Sequence, residues 1–264
     1  MIDPKKLDEI ARKLGIRKYA VNSPAKDNAS DPKENNSGLN ITEKDDKYIL
    51  EGISYKDSLY HVEWFKDLLD NGKSHTQQDW ITMQKNHEFG EKTIPDAPLY
   101  NATMLGLYSA KSFGIAKKVK TMFNFFFNDY YLTTSSKIIY SPLCLDKIVH
   151  SIGTDSEYEV EVDIAGESMF VNGKSQCEEA VKAIFGTDDL DGIKKVYKWL
   201  SGYEPYLLRL KNKPSKIIEL CVVLGICNGV RFSLYVNDYS SNRGPALGVV
   251  VENVFLRRNK GNAK

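Results

Sequence analysis

The stretch Leu220–Val251 reads LCVVLGICNGVRFSLYVNDYSSNRGPALGVVV, and it differs in kind from the rest of the chain. It contains no Lys, Glu, Gln, Met or Trp, although those five types supply 57 of the 264 residues. Random placement would leave a window of this length without them roughly once in a thousand trials or less, and strand-forming composition explains part of the bias. Inside it, residues 230–237 alternate. Val230, Phe232, Leu234 and Val236 fall on one side, and Arg231, Ser233, Tyr235 and Asn237 on the other. A strand sends successive side chains to opposite faces, so the pattern predicts one core face and one face carrying a guanidinium, hydroxyl, phenol and amide. Asp238, Tyr239, Asn242 and Arg243 continue that mixture into an expected loop. Tyr, Ser, Asn and Arg are the types that adaptable binding surfaces favour.

Outward from this stretch, runs 205–210, 217–224 and 246–255 read as further strands separated by Gly, Asn and Ser. Two helices are expected over 175–185 and 189–201, after shorter strand-like runs at 131–140, 146–151 and 157–164. Residues 98–110 and 115–128 read as helices, the second with Phe123, Phe125, Phe126 and Phe127 as an aromatic core face and Lys117, Lys118 and Lys120 as a solvated one. Residues 48–55 suggest a strand. Residues 57–70 suggest a helix with Leu59, Val62, Phe65, Leu68 and Leu69 inward, stopped by Asn71-Gly72. Thr76 to Asp79 resembles a capping box ahead of Trp80 and Ile81. Helices first and strands later predict an α+β chain rather than a parallel doubly wound sheet.

At the amino end, residues 3–16 form a short amphipathic pattern with Leu7, Ile10, Ala11 and Leu14 at helical spacing. It reads equally as a docking element and as a terminus packed on the main domain. Residues 22–47 are rich in Asn, Asp, Ser, Lys and Pro and read as a flexible linker. The expected organisation is thus 1–47 as helix plus linker and 48–264 as one domain. Met1–Lys18 lacks the apolar core of a secretory signal, so cytoplasmic synthesis is expected, with the final site (cytosol, virion or cell surface) open. No apolar run reaches the ~18 residues a membrane helix needs.

The chemistry of common enzymes is hard to find. Formal net charge is +1, which gives no whole-chain case for nucleic acid. Neither a phosphate-cradling glycine loop nor a nucleophile elbow occurs. The four histidines are scattered, and the cysteines 144, 177, 221 and 227 show no zinc spacing, so no metal and no cofactor are expected. A Cys221–Cys227 disulfide is an open alternative to free, partly buried thiols. Glu159 and Glu161 alternate on one side of a strand, as solvent-facing acids do, rather than as an acid–base pair.

The order Leu224-Gly225, Asn228-Gly229, Arg231-x-Ser233-Leu234, Asn237, Ser240 and Pro245-x-Leu247-Gly248-Val249 resembles the carboxy-terminal variable region of proteins diversified by retroelements. In that family, adenine-directed mutagenesis rewrites codons that begin as AAC or AAT, which puts Lys, Glu, Gln, Met and Trp out of reach. Leu69–Trp80 resembles a turn and helix start of the same family, and Pro245–Val251 its closing strand. The resemblance implies a C-type-lectin-like fold of the formylglycine-generating-enzyme subtype, with 90–200 as an insertion and 220–251 as the variable region.

It further implies a ligand-binding display protein rather than an enzyme, whose partner is a protein or cell-surface molecule. The surface would comprise Ile226, Cys227, Asn228, Arg231, Ser233, Tyr235, Asn237, Asp238, Tyr239, Asn242 and Arg243. The chain departs from the family where a Trp usually precedes the variable strand and where Val250 replaces a usual Arg. Of the calcium motifs of true C-type lectins only Asn237-Asp238 is present, so calcium-independent binding is expected. Two alternatives remain: a formylglycine-generating-type oxidoreductase using Cys221 and Cys227, and a nucleic-acid-associated protein acting through residues 111–131.

Overall fold

A computed structural model describes residues 39–171, 178–227, 229, 231–239 and 242–254, with only the backbone described for 236–239. The helix expected over 3–16 and the linker up to residue 38 lie outside them. The described chain is mixed α and β, with five helices and a curled, mostly antiparallel sheet. No helix among these residues is long and apolar enough to cross a membrane.

A four-stranded sheet begins the domain. Strand β1 (Asn40–Glu43) pairs with β2 (Lys47–Tyr55), and β2 pairs with β3 (Ser58–Leu68), all antiparallel. The presence of β1 corrects the linker expectation for its last residues. The β3 strand corrects the helix expected over 57–70. Lys56 and Asp57 both have positive φ (46° and 56°), the conformation of a two-residue hairpin turn. That turn reverses the chain and leaves Tyr60, Val62, Trp64 and Phe65, all strand-favouring types, in extended backbone. Val62 and Trp64 are fully buried, whereas Leu59, expected inward, is exposed.

A 3-10 turn (Leu69–Gly72) and the two-residue strand β4 (His75–Thr76) lead into α1 (Gln77–Lys85). The capping box is present: Thr76 Oγ1 accepts from the Asp79 amide at 3.1 Å, and the Asp79 carboxylate accepts from the Thr76 amide at 3.2 Å. Helices α2 (Ala97–Ser109) and α3 (Gly114–Asp129) follow. On α3, Ala116, Val119, Phe123, Phe126 and Phe127 are buried at three- and four-residue spacing, while Phe125 is 56% exposed and leaves the expected core face.

The second sheet has seven strands in the order β7-β6-β5-β10-β11-β9-β8. Its members are β5 (Leu132–Tyr140), β6 (Asp146–His150), β7 (Tyr158–Val162), β8 (Met169–Phe170), β9 (Pro205–Leu208), β10 (Ile218–Cys227) and β11 (Arg231–Tyr239). Only the β9–β11 pair is parallel. Helices α4 (Glu178–Phe185) and α5 (Leu190–Ser201) sit between β8 and β9 in sequence. Phe232 of β11 meets Phe127 of α3 and Tyr197 of α5, with ring centroids 5.0 and 4.4 Å away. The stretch 90–200 is therefore part of one core, and β5 within it pairs directly with β10.

Strand β12 (Arg243–Gly244) pairs with β4, and β13 (Leu247–Asn253) returns to the first sheet to pair with β3, Val249 opposite Trp64. The strands near the beginning and the end of the domain thus share one sheet.

Candidate ligand-binding face

Strands β10 and β11 form a hairpin in which Cys227 pairs with Arg231, Gly225 with Ser233 and Val223 with Tyr235. Phe232 and Leu234 are fully buried toward the helices. Arg231, Ser233 and Tyr235 alternate onto the opposite side of β11. They do not fare alike. Arg231 and Tyr235 are half-buried, but Ser233 is completely enclosed and its Oγ has no hydrogen-bond partner. Ile226, an expected surface residue, lies in the main hydrophobic core, and Cys227 is also buried. These burials correct the expectation that Ile226, Cys227 and Ser233 are displayed. For Ile226 and Cys227 the cause is strand length: β10 runs on to Cys227, so both are sheet residues paired with β11, Ile226 opposite Phe232 and Cys227 opposite Arg231.

Asp238 and Tyr239 were expected in a loop, yet the backbone of β11 extends through both, opposite Cys221 and Leu220. Of Asn237, Asp238 and Tyr239 only the backbone is described, and Asn228 lies outside the described residues. Asn242 and Arg243 are exposed.

Around Tyr235 the chain builds a concavity of about 440 Å³, lined by Tyr131, Thr133, Cys221, Val223, Tyr235, Asn242, Arg243 and Gly244. Three of these lining residues belong to the set expected from sequence. Tyr131, Thr133, Cys221 and Val223 do not: Tyr131 and Thr133 come from around the start of β5, far from the variable stretch in sequence, and Cys221 and Val223 from β10, inside that stretch but outside the expected surface set. Only the aromatic run ending at Tyr130-Tyr131 hinted at them.

Tyr131 holds the site together. Its ring meets that of Tyr235 edge-on, with centroids 5.0 Å apart, and the two hydroxyls are 3.4 Å apart. Two glycines make room for it. A Cβ on Gly225 would lie 2.6 Å from Tyr131 Cδ1 and 2.8 Å from the Tyr130 carbonyl oxygen. One on Gly244 would lie 2.9 Å from the Tyr131 carbonyl oxygen. Gly244 is fixed from below by Trp80, whose Nε1 donates to its carbonyl at 2.8 Å. The Leu69–Trp80 segment and the variable stretch, picked out separately in the sequence, therefore meet in space.

The electrostatics are mixed. The Arg231 guanidinium stacks over the Tyr206 ring at 4.2 Å, a cation–π contact, and its Nε has no hydrogen-bond partner. The Tyr235 hydroxyl, helped by that of Tyr131 and by Arg231, stabilises the Cys227 thiolate and holds this thiol below its ordinary pKa against the opposing effect of burial. Burial and the neighbouring Cys227 and Tyr131 push the Tyr235 hydroxyl well up. Cys221 and Cys227 are not joined to each other by a disulfide.

No protein-family model, no curated protein and no solved structure matches the chain.

Elsewhere, Glu159 and Glu161 both pair with Lys147, at 3.0 and 3.3 Å, in line with a solvent-facing strand side. Among the described residues, no group of three or more His, Cys, Asp or Glu side chains is arranged to hold a metal ion.

Proposed function

We propose that the chain is a display protein of the retroelement-diversified kind, with a C-type-lectin-like scaffold, that binds a macromolecular ligand through the face built on β11 together with Asn242 and Arg243. The supporting observation is the division of labour along β11. Phe232 and Leu234 are locked in the core, while Arg231 and Tyr235 alternate onto the opposite side, Tyr235 sharing a concavity with exposed Asn242 and Arg243. Such a strand can change its outer residues without disturbing its anchor. The interacting surface is narrower than the sequence suggested: Arg231, Tyr235, Asn242 and Arg243, with Tyr131 as a fixed neighbour. A half-buried Tyr and a stacked Arg are typical anchors of protein interfaces.

One observation favours the thiol-enzyme reading: the lowered pKa of Cys227 beside Arg231. Against it, Cys227 is buried rather than presented to a substrate. Alkylation of native protein by iodoacetamide decides between them, since a catalytic thiol reacts within minutes and a core thiol does not.

The display reading is tested with a library in which positions 231, 235, 242 and 243 are varied together and selected against one immobilised globular protein. Most members should melt within about 1 kcal/mol of the parent, roughly 3 °C for a chain of this size, and binders should emerge. Phe232→Ala should cost about 3–5 kcal/mol, because it empties a packed core site, and Ser233→Tyr about 1–3 kcal/mol, because the enclosed site has no room for a ring. A library that mostly fails to melt cooperatively would sink the reading. In the genome, the same reading expects a near-copy of this coding segment, differing mainly at adenines, beside a reverse transcriptase gene.

A further inference from the structure

A larger concavity lies elsewhere, between the β2–β3 turn, helix α2 and the end of α4. Its volume is about 840 Å³, within the range of small-molecule sites, and it shares no lining residue with the face on β11. Leu39, Leu59, Ala102, Leu105 and Phe185 contribute apolar side chains to its lining, and Ser54, Lys56 and Tyr158 contribute polar ones.

Lys56 is unusual among the lysines here. It is half-buried, and its Nζ donates to Ser151 Oγ at 3.1 Å and to the Ser156 carbonyl at 3.2 Å. It lies over the Tyr158 ring at 4.2 Å and the Tyr55 ring at 5.0 Å. Among the described residues, no carboxylate lies within ion-pairing distance of it. Its nearest electrostatic support is buried Asp96, whose oxygens already accept from Tyr55, Ser151 and the Leu99 amide at 2.6, 2.6 and 2.8 Å. Burial holds the Lys56 pKa below the ordinary lysine value, with Asp96 opposing that shift. The ammonium therefore retains one hydrogen not used by these two bonds, at the edge of a cleft and without a carboxylate in direct contact among the described residues. The turn that carries it is built for this placement, since Lys56 itself adopts a positive φ. On the floor, buried Asn101 leaves its Oδ1 without a partner.

We infer that this cleft binds a small amphipathic monocarboxylate, its carboxylate paired with Lys56 and its hydrocarbon part lying along Leu59, Ala102, Leu105 and Phe185. A single lysine flanked by hydroxyls suits one negative charge rather than a phosphate dianion, for which clustered cations would be expected. The apolar wall suits an alkyl or aryl body rather than a sugar or a free amino acid. Asp57 at the rim is exposed and free to stay in water. The inference does not depend on the display reading.

Decanoate, decanol and decyltrimethylammonium titrated into the full chain by calorimetry provide the test. Decanoate should bind at least tenfold more tightly than either of the others. Lys56→Met, which keeps the aliphatic stem, should weaken decanoate at least tenfold and leave decanol unchanged, and Lys56→Arg should restore most of the loss. Ala102→Phe should block all three ligands while circular dichroism and melting stay those of the parent. Equal binding of decanoate and decanol, or full decanoate affinity in a folded Lys56→Met variant, would overturn the inference. So would absence of decanoate binding at millimolar concentration.

Discussion

His150 and Ser233 are both buried polar residues on strands, and the fold treats them oppositely. His150 is fully satisfied. Ser136 Oγ donates to its Nδ1 at 2.8 Å, and its Nε2 donates to the Ala183 carbonyl at 2.9 Å, so the ring is neutral. Burial lowers its pKa from the ordinary 6.5, with Asp96 acting the other way. The unfolded chain therefore binds a proton that the folded chain refuses. This contribution is whole above pH 6.5 and is lost as the pH falls from there toward the lower folded value, with a slope of at most about 1.4 kcal/mol per pH unit. Urea denaturation between pH 7 and about 5 should show stability falling, and His150→Gln should flatten that fall. An identical slope in both proteins would refute the assignment. Ser233 has no such partners. Its enclosure was not visible in the sequence, because alternation assigns a residue to a face and says nothing about what covers that face. Tyr131, brought in from the entry to β5, packs against Gly225, the residue paired with Ser233.

Among the elements, those with strong local signals were legible. The capping box at Thr76 lies where its pattern places it, α3 forms with Phe123, Phe126 and Phe127 inward but Phe125 outward, and β11 is a strand with Phe232 and Leu234 in the core but Ser233, expected on the open face, enclosed. The 57–70 segment misled because its apolar residues fit a helical period as well as a strand, and Asp57 resembles a helix cap. The deciding feature was a turn at Lys56-Asp57 that carries no glycine. Part of the concavity was likewise hidden, since Tyr131 and Thr133 lie far from the variable stretch in sequence and no local pattern ties them to it. Tight packing between elements gives the next prediction. Gly225→Ala would force Tyr131 and the Tyr130 carbonyl apart from β10, with contacts of 2.6 and 2.8 Å to relieve. The cost should be about 1–3 kcal/mol in a thermal melt, accompanied by altered ring resonances of Tyr131 and Tyr235 in NMR spectra. A variant as stable as the parent with unchanged resonances would show that Tyr131 is not wedged against this glycine.

At the scale of the whole molecule, β13 joins parts of the chain that local sequence could not connect. Val249 is fully buried opposite Trp64, and its backbone exchanges hydrogen bonds with Thr93 at 2.8 and 2.9 Å. Val249→Asp should cost several kcal/mol, since an unpaired carboxylate would replace a core methyl pair, and urea titration should show loss of cooperative unfolding. A mild effect would mean that the Val249 side chain is not held in a closed apolar site.

This closure also sets a schedule for synthesis. While a ribosome is still making the residues that follow β3, that strand has no partner on its far side and presents bare amide and carbonyl groups. Everything between Trp64 and Val249 must emerge before the gap is filled. Nascent chains stalled ahead of position 247 should therefore cling to chaperones or clump together, and only translation past that point releases a self-sufficient product.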